Sequence, residues 1–141
     1  MSNQGFLQLS PINILLGLLV AVILFHLCVI AKIIPYDIAW GGRLQNDSEM
    51  YVFEAISILV NLFLGLVLLM KGDYIKFRFK RKTIDVILWI FLVLFALNTV
   101  GNVFAKTNFE KSFAVLTFIF AILIWRTLKT KRFYDKGTQT K

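Results

Sequence analysis

Hydrophobic residues fall into four long runs, 12–34, 50–70, 84–104 and 112–128, and the segments between them hold most of the charge. A helix needs about 20 residues to cross a hydrocarbon core of about 30 Å, and the first three runs, of 23, 21 and 21 residues, meet that length. The fourth contains an uninterrupted apolar stretch of only 13 residues, 113–125. Lys111 before it and Arg126 and Lys129 after it have stems that snorkel to a headgroup layer. Thr107-Asn108-Phe109-Glu110 has the S/T-x-x-E spacing of a capping box, which moves the start of that helix back to Asn108. The pattern predicts an all-α, polytopic membrane protein: one domain, residues 1–141, folded as a four-transmembrane-helix bundle with spans near 12–34, 50–70, 84–104 and 108–128.

The local punctuation agrees with these elements. Pro11 suits a first helical turn, and Pro35 is expected to stop the first span. In the loop 35–49, Tyr36 and Trp40 are the aromatic types that favour a membrane interface, and Gly41-Gly42 permits a turn. Asp47 or Ser48 is expected to cap the second span, with Glu49 complementing its dipole. After the turn Lys71-Gly72-Asp73, the residues Ile75, Phe77 and Phe79 alternate with Lys76, Arg78 and Lys80. That period of two fits an extended piece lying on anionic headgroups, with Lys76, Arg78, Lys80 and Arg81 as the contacts at about 1 kcal/mol per cation. The alternative is a short solvated loop. The tail after Arg132 is polar and expected to fray.

Composition explains why lipid is the expected solvent: with 58% hydrophobic and 15% aromatic residues in 141, the chain has more apolar surface than one core of that size buries. The net charge of +8 is sorted by side. If the spans alternate, the N-terminal segment, the loop 71–83 and the C-terminal end from Arg126 onward share one side with twelve Lys and Arg, against four (Lys32, Arg43, Lys106, Lys111) on the other. Cytoplasmic flanks retain positive charge, so both termini are expected in the cytoplasm and the protein in a bacterial-type cytoplasmic (inner) membrane. The basicity is thus a topology signal, with no nucleic-acid partner expected. Residues 1–10 contain no Lys or Arg to form a signal n-region, so the first run is expected to remain as a helix.

Candidate chemistry lies in the polar residues within the spans, each of which is costly in lipid. Asp85 falls in the first turn of its helix, where Thr83 is expected to cap. Glu54 is followed by Ser57, Asn61 and Gly65 at +3, +7 and +11, all on one face that should point at other helices. Asn98 and Asn102, one turn apart, form a second amide face, and His26 lies in the same half of the first span. With Arg43 and Asp47 above them, Glu54, Asn61, Asn98, Asn102 and His26 form a candidate ligand or ion site in a polar cleft open to the outside. The competing reading makes the amides interhelical hydrogen-bond glue, worth about 0.6 kcal/mol each, with Arg43 pairing Glu54. A stripe of Gly17, Ala21 and Cys28 nearly opposite His26 points to a homo-oligomer or a membrane partner subunit.

Several chemistries are excluded. One histidine cannot supply bis-His haem ligation, one cysteine (Cys28) makes neither an intrachain disulfide nor a Cys-based metal site, and no zinc spacing occurs. There is no G-x-S-x-G and no phosphate-binding Gly-rich loop. No cofactor, no metal and no catalytic residue is therefore expected.

Trp40-Gly41-Gly42-Arg43-Leu44, Glu49-Met50-Tyr51-Val52-Phe53-Glu54, Asn98-Thr99-x-Gly101-Asn102 and Ala105-Lys106-Thr107-Asn108-Phe109-Glu110-Lys111 resemble a group of small uncharacterised bacterial four-helix integral membrane proteins. That resemblance spans most of the chain and implies no activity. A shorter string, Arg43-x-x-Asn46-Asp47-x-Glu49, resembles the Arg/Asn/Asp/Glu string of the MAPEG family, trimeric membrane enzymes that bind glutathione and act on lipophiles. Two departures are the lack of the family's preceding histidine and the outer placement of the string. The expectation is a transporter, channel or lipophilic-ligand binder. The alternatives are a MAPEG-like enzyme on a lipophilic substrate or a non-catalytic accessory subunit.

Overall fold

The structure, a computed structural model, describes residues 10–40, 42–76 and 79–137, with side chains through 130. Four long helices and one short one are present, and no strand occurs among the described residues. Helix α1, Pro11–Ile30, has Pro11 at its start and Ser10 as its cap, whose hydroxyl accepts from the Asn13 N–H at 3.3 Å. It closes at Ile30, short of the apolar run's end, because Lys32 turns into the left-handed region at φ 58°. Pro35 is then the N-cap of a single-turn helix, α2, Tyr36–Ala39.

Helix α3, Asp47–Lys71, is capped by Asn46 rather than by Asp47 or Ser48. Asn46 is extended (φ −156°, ψ 166°), so its side chain reaches forward and accepts from the Glu49 N–H at 2.9 Å, while Glu49 reaches back and accepts from the Gln45 N–H at 2.9 Å. Helix α4, Arg81–Val103, begins ahead of its apolar run and has no side-chain cap, so Thr83 sits inside the first turn instead of capping it. Helix α5, Asn108–Gly137, opens on Thr107, whose hydroxyl accepts from the Glu110 N–H at 3.2 Å and donates to Glu110 Oε2 at 3.0 Å. It continues through the tail expected to fray.

α1, α3, α4 and the Asn108–Thr130 part of α5 are long and apolar enough to cross a membrane. Neighbours run antiparallel in a ring, with α4 packed most extensively on α5 and α1 on α3, α1 also meeting α5, and α3 meeting α4. The ring is sealed at one end only. At the end near the basic loop 71–83, Leu15, Leu64, Leu68, Ile84, Leu88 and Ile124 are fully or almost fully buried in one cluster fed by all four helices. There Lys71 forms an ion pair with Asp85, and Phe63 lies 6.2 Å from Phe91, tying α3 to α4. At the opposite end a smaller cluster of Val29, Leu44 and Met50, packed with Phe25 and Trp40, joins α1 to α3 through α2. No comparable cluster joins α3 to α4 there among the described residues. The outward faces carry Leu24, Leu59, Ile90, Leu97 and Val115 more than half exposed.

Candidate functional site

A carboxylate in an apolar bundle needs donors to replace water, and Glu54 has one from each of two other elements. The side chain is 0% exposed. Trp40, brought inward by α2, donates its Nε1–H to Oε1 at 2.7 Å. His26 on α1 places Nδ1 2.6 Å from Oε2, with one proton between them. Arg43 is not the partner of Glu54 and forms no ion pair among the described residues. The indole of Trp40 is held by an edge contact with Phe53, ring centroids 5.5 Å apart. Phe25 sets the imidazole from the other side at 5.8 Å.

His26 and Trp40 separate Glu54 from a groove of about 630 Å³ that runs down the half of the bundle where α3 and α4 part. All four long helices contribute to it. Its floor, about 18 Å below the α2 end by the 1.5 Å rise per residue, is formed by Leu18, Phe91 and Phe120. Phe95 stacks on Phe120 with centroids 4.7 Å apart and planes at 11°, and Phe25 packs edgewise on Phe113 at 5.2 Å, so much of the wall is aromatic. Ile56, Val60, Leu94 and Asn98 line the groove and are also exposed on the outside, which places the opening along the α3–α4 seam.

Polar groups gather toward the α2 end: His26, Arg43, Asn98, Asn102 and Glu110. Among the described residues Asn98 and Asn102 have no side-chain hydrogen-bond partner, so their amides are available to an occupant. Glu110 is 8% exposed, with Oε2 engaged by Thr107. Deeper in the groove the polar side chains are quenched. Asn61 turns back on its own helix, donating Nδ2–H to the Ser57 carbonyl at 2.7 Å. The hydroxyl oxygens of Thr99 and Thr117 lie 2.9 Å apart, each 2.8 Å from a carbonyl of its own helix, Phe95 and Phe113, so the pair satisfies itself locally.

The structure thus brings His26, Arg43, Asn61, Asn98 and Asn102 around one space and sets Glu54 behind it rather than in it. Asp47 stands apart, paired with Lys32. Gly65 faces Leu19 on α1, while Gly17 faces open space. Trp40 as the donor to Glu54, and Glu110 as a wall residue, went unread in the sequence; the signal for Trp40 was that a buried indole N–H seeks an acceptor. Among the proposed headgroup residues, Lys76, Lys80 and Arg81 are exposed, and Arg81 lies 3.5 Å from Asp73. Arg78 and Phe77 fall outside the described residues. Asp85 is explained by Lys71, a partner not foreseen. Among the described residues no group of His, Cys, Asp and Glu could hold a metal ion.

Fold and site together define a class: a helical bundle with four membrane-capable helices around a groove that is closed and apolar at one end and polar at the other. No family model, no curated protein and no solved structure matches the chain. The Arg43–Glu49 string that resembles MAPEG is spent on local structure here, since Asn46 and Glu49 cap α3 and Asp47 pairs with Lys32.

Proposed function

We propose that this is a membrane protein that binds a lipophilic molecule with a polar head, taken into the groove sideways through the α3–α4 seam. Both termini lie in the cytoplasm of a bacterial-type inner membrane in this reading, since the loop 71–83 carries Lys71, Lys76, Arg78, Lys80, Arg81 and Lys82. The groove then opens in the outer half of the bilayer.

The observation that carries the reading is the groove's polarity gradient. Its volume of about 630 Å³ falls in the range of small-molecule sites. Its floor and walls are aromatic and aliphatic, and its unpartnered amides and guanidinium stand at one end. An ion would gain nothing from such a floor, and the buried Leu15, Leu64, Leu68 and Ile124 argue against a pore through a single copy. An amphiphile would match both ends.

The test is extraction of lipophiles from purified protein followed by mass spectrometry, with Val60→Trp as the comparison. Val60 lies at the exposed seam, so an indole there fills the entrance without displacing core. Wild-type protein is expected to retain a discrete lipophile that Val60→Trp lacks at an unchanged melting temperature. The same lipophiles in equal amounts from both proteins would refute the reading.

A further inference from the structure

The way Glu54 holds His26 specifies the polar end of the ligand. A histidine's two nitrogens are distinct, and the hydrogen bond made by one fixes what the other offers. Glu54 Oε1 is already taken by Trp40, a donor only, and Oε2 faces Nδ1 at 2.6 Å. In the neutral imidazole the proton is therefore on Nδ1, and Nε2 carries a lone pair. The ring lines the groove, has its Nδ1 edge turned to Glu54, and is 13% exposed. In that neutral form Nε2 is the acceptor that the ring presents to an occupant.

The charges around it disfavour an anion there. Glu54 lies directly behind the ring and Glu110 is a second carboxyl on the wall, against the single guanidinium of Arg43 at the mouth. Asn98 and Asn102 add groups that both donate and accept.

We propose that the ligand is a neutral hydroxylated lipophile whose O–H donates to His26 Nε2 while its hydrocarbon part lies between Phe95, Phe113 and Phe120. This rests on the amphiphile reading above, and names the chemistry of the head that the groove accepts.

The test places the full chain in lipid nanodiscs with N-phenyl-1-naphthylamine as a fluorescent occupant, displaced by hexadecan-1-ol, by its methyl ether or by palmitate. The alcohol is expected to compete about threefold to tenfold better than the ether or the acid, the worth of one neutral hydrogen bond. His26→Asn keeps an amide donor where Nδ1 stood, so Glu54 stays satisfied, but has nothing in place of Nε2. It is expected to bring the alcohol down to the ether. Glu54→Gln provides a second variant that keeps both partners. Trp40 can only donate, so the Gln oxygen faces the indole and its NH2 donates to Nδ1; the ring proton then moves to Nε2, which becomes a donor that ether and alcohol satisfy alike. Loss of the alcohol preference in either variant supports the proposal.

Equal competition by alcohol and ether in the wild type, with the probe saturably bound, would overturn the hydroxyl assignment and leave the amphiphile reading standing. Preference for palmitate would overturn it in favour of an anionic head at Arg43. No saturable probe binding in wild type beyond that of Val60→Trp would remove the amphiphile reading itself, and this proposal with it.

Discussion

His26 Nδ1 and Glu54 Oε2 meet at 2.6 Å from positions 28 residues apart, joining α1 to α3 inside the bundle. The pair is worth more as a constraint than as an attraction. Removing one partner strands the other without solvent, whereas replacing it by a group that still hydrogen-bonds costs little. Glu54→Ala is therefore expected to destabilise by about 3 kcal/mol, since it leaves the indole N–H and the imidazole unsatisfied around a new void. Glu54→Gln should cost about 1 kcal/mol, because its amide answers both Trp40 and His26. Equilibrium unfolding in micelles measures the difference, and equal losses in the two variants would show that the carboxyl is not held as described.

Trp40 makes α2 a latch, because the helix is one turn long and has no buried residue of its own. Tyr36 and Ala39 pack on the small cluster of Val29, Leu44 and Met50, and the indole adds the bond to Oε1 at 2.7 Å and the ring contact with Phe53. Trp40→Phe keeps the ring contact and deletes the N–H. Loss of a donor to a buried acceptor is worth about 1–2 kcal/mol, so amide exchange in 36–40 should speed up by about tenfold while exchange in the middle of α4 stays unchanged. Uniform acceleration through all helices would mean that the bond supports global stability instead.

Run lengths made the helices legible, and residue spacing made part of the site legible. Glu54, Ser57 and Asn61 share a helical face whatever they touch, so their inward direction could be read from the 3.6-residue period. What they touch could not. Pro35 reads as a stop in one dimension, yet its ψ of 130° starts α2 and swings Trp40 into the bundle, a consequence of chain direction that no local pattern encodes. The α3–α4 seam is similarly invisible, because helix pairing depends on which side chains interlock. Phe63 and Phe91 meet near the sealed end, while Val60 and Leu94, close by on the same two helices, line the groove and are exposed on the outside. Asp85 looked like a problem for a cap to solve, and its solution, Lys71, lies across that seam.

The loop near α2 should loosen in alkali. The hydrogen bond and charge of Asp47 hold the Lys32 ammonium above its usual 10.5, and partial burial together with the Asp47 charge holds the Tyr36 phenol above its usual 10.0. Both shifts favour the protonated form in the folded state. Their contribution is fully present below about pH 10 and is lost as pH rises through the raised folded values. The coupling between Lys32 and Asp47, measured by a double-mutant cycle with alanine at each, is expected to be stabilising at about pH 8 and absent at about pH 12. A coupling that survived unchanged at the higher pH would place its origin in packing and not in charge.

Lys71 and Asp85 close the opposite end of the seam, and they are unequal partners. The Lys71 side chain is 5% exposed and that of Asp85 is 38% exposed. Removing the acid leaves a nearly buried ammonium with no counter-ion, whereas removing the ammonium leaves a carboxylate that water reaches. Breaking a buried pair costs about 3–5 kcal/mol, and the partial exposure of Asp85 brings the expected loss for Asp85→Ala down to about 2 kcal/mol. Lys71→Met retains the apolar stem and should be close to neutral. The double variant should then recover most of what Asp85→Ala loses, since no stranded charge remains. The same pair bears on the groove, because α3 and α4 part only above the contact between Phe63 and Phe91. If the ion pair is a hinge for that parting, Asp85→Ala should also weaken retention of the groove's occupant, and Lys71→Met/Asp85→Ala should restore it together with stability. Restored stability without restored retention would separate the sealed end of the bundle from the behaviour of its open end.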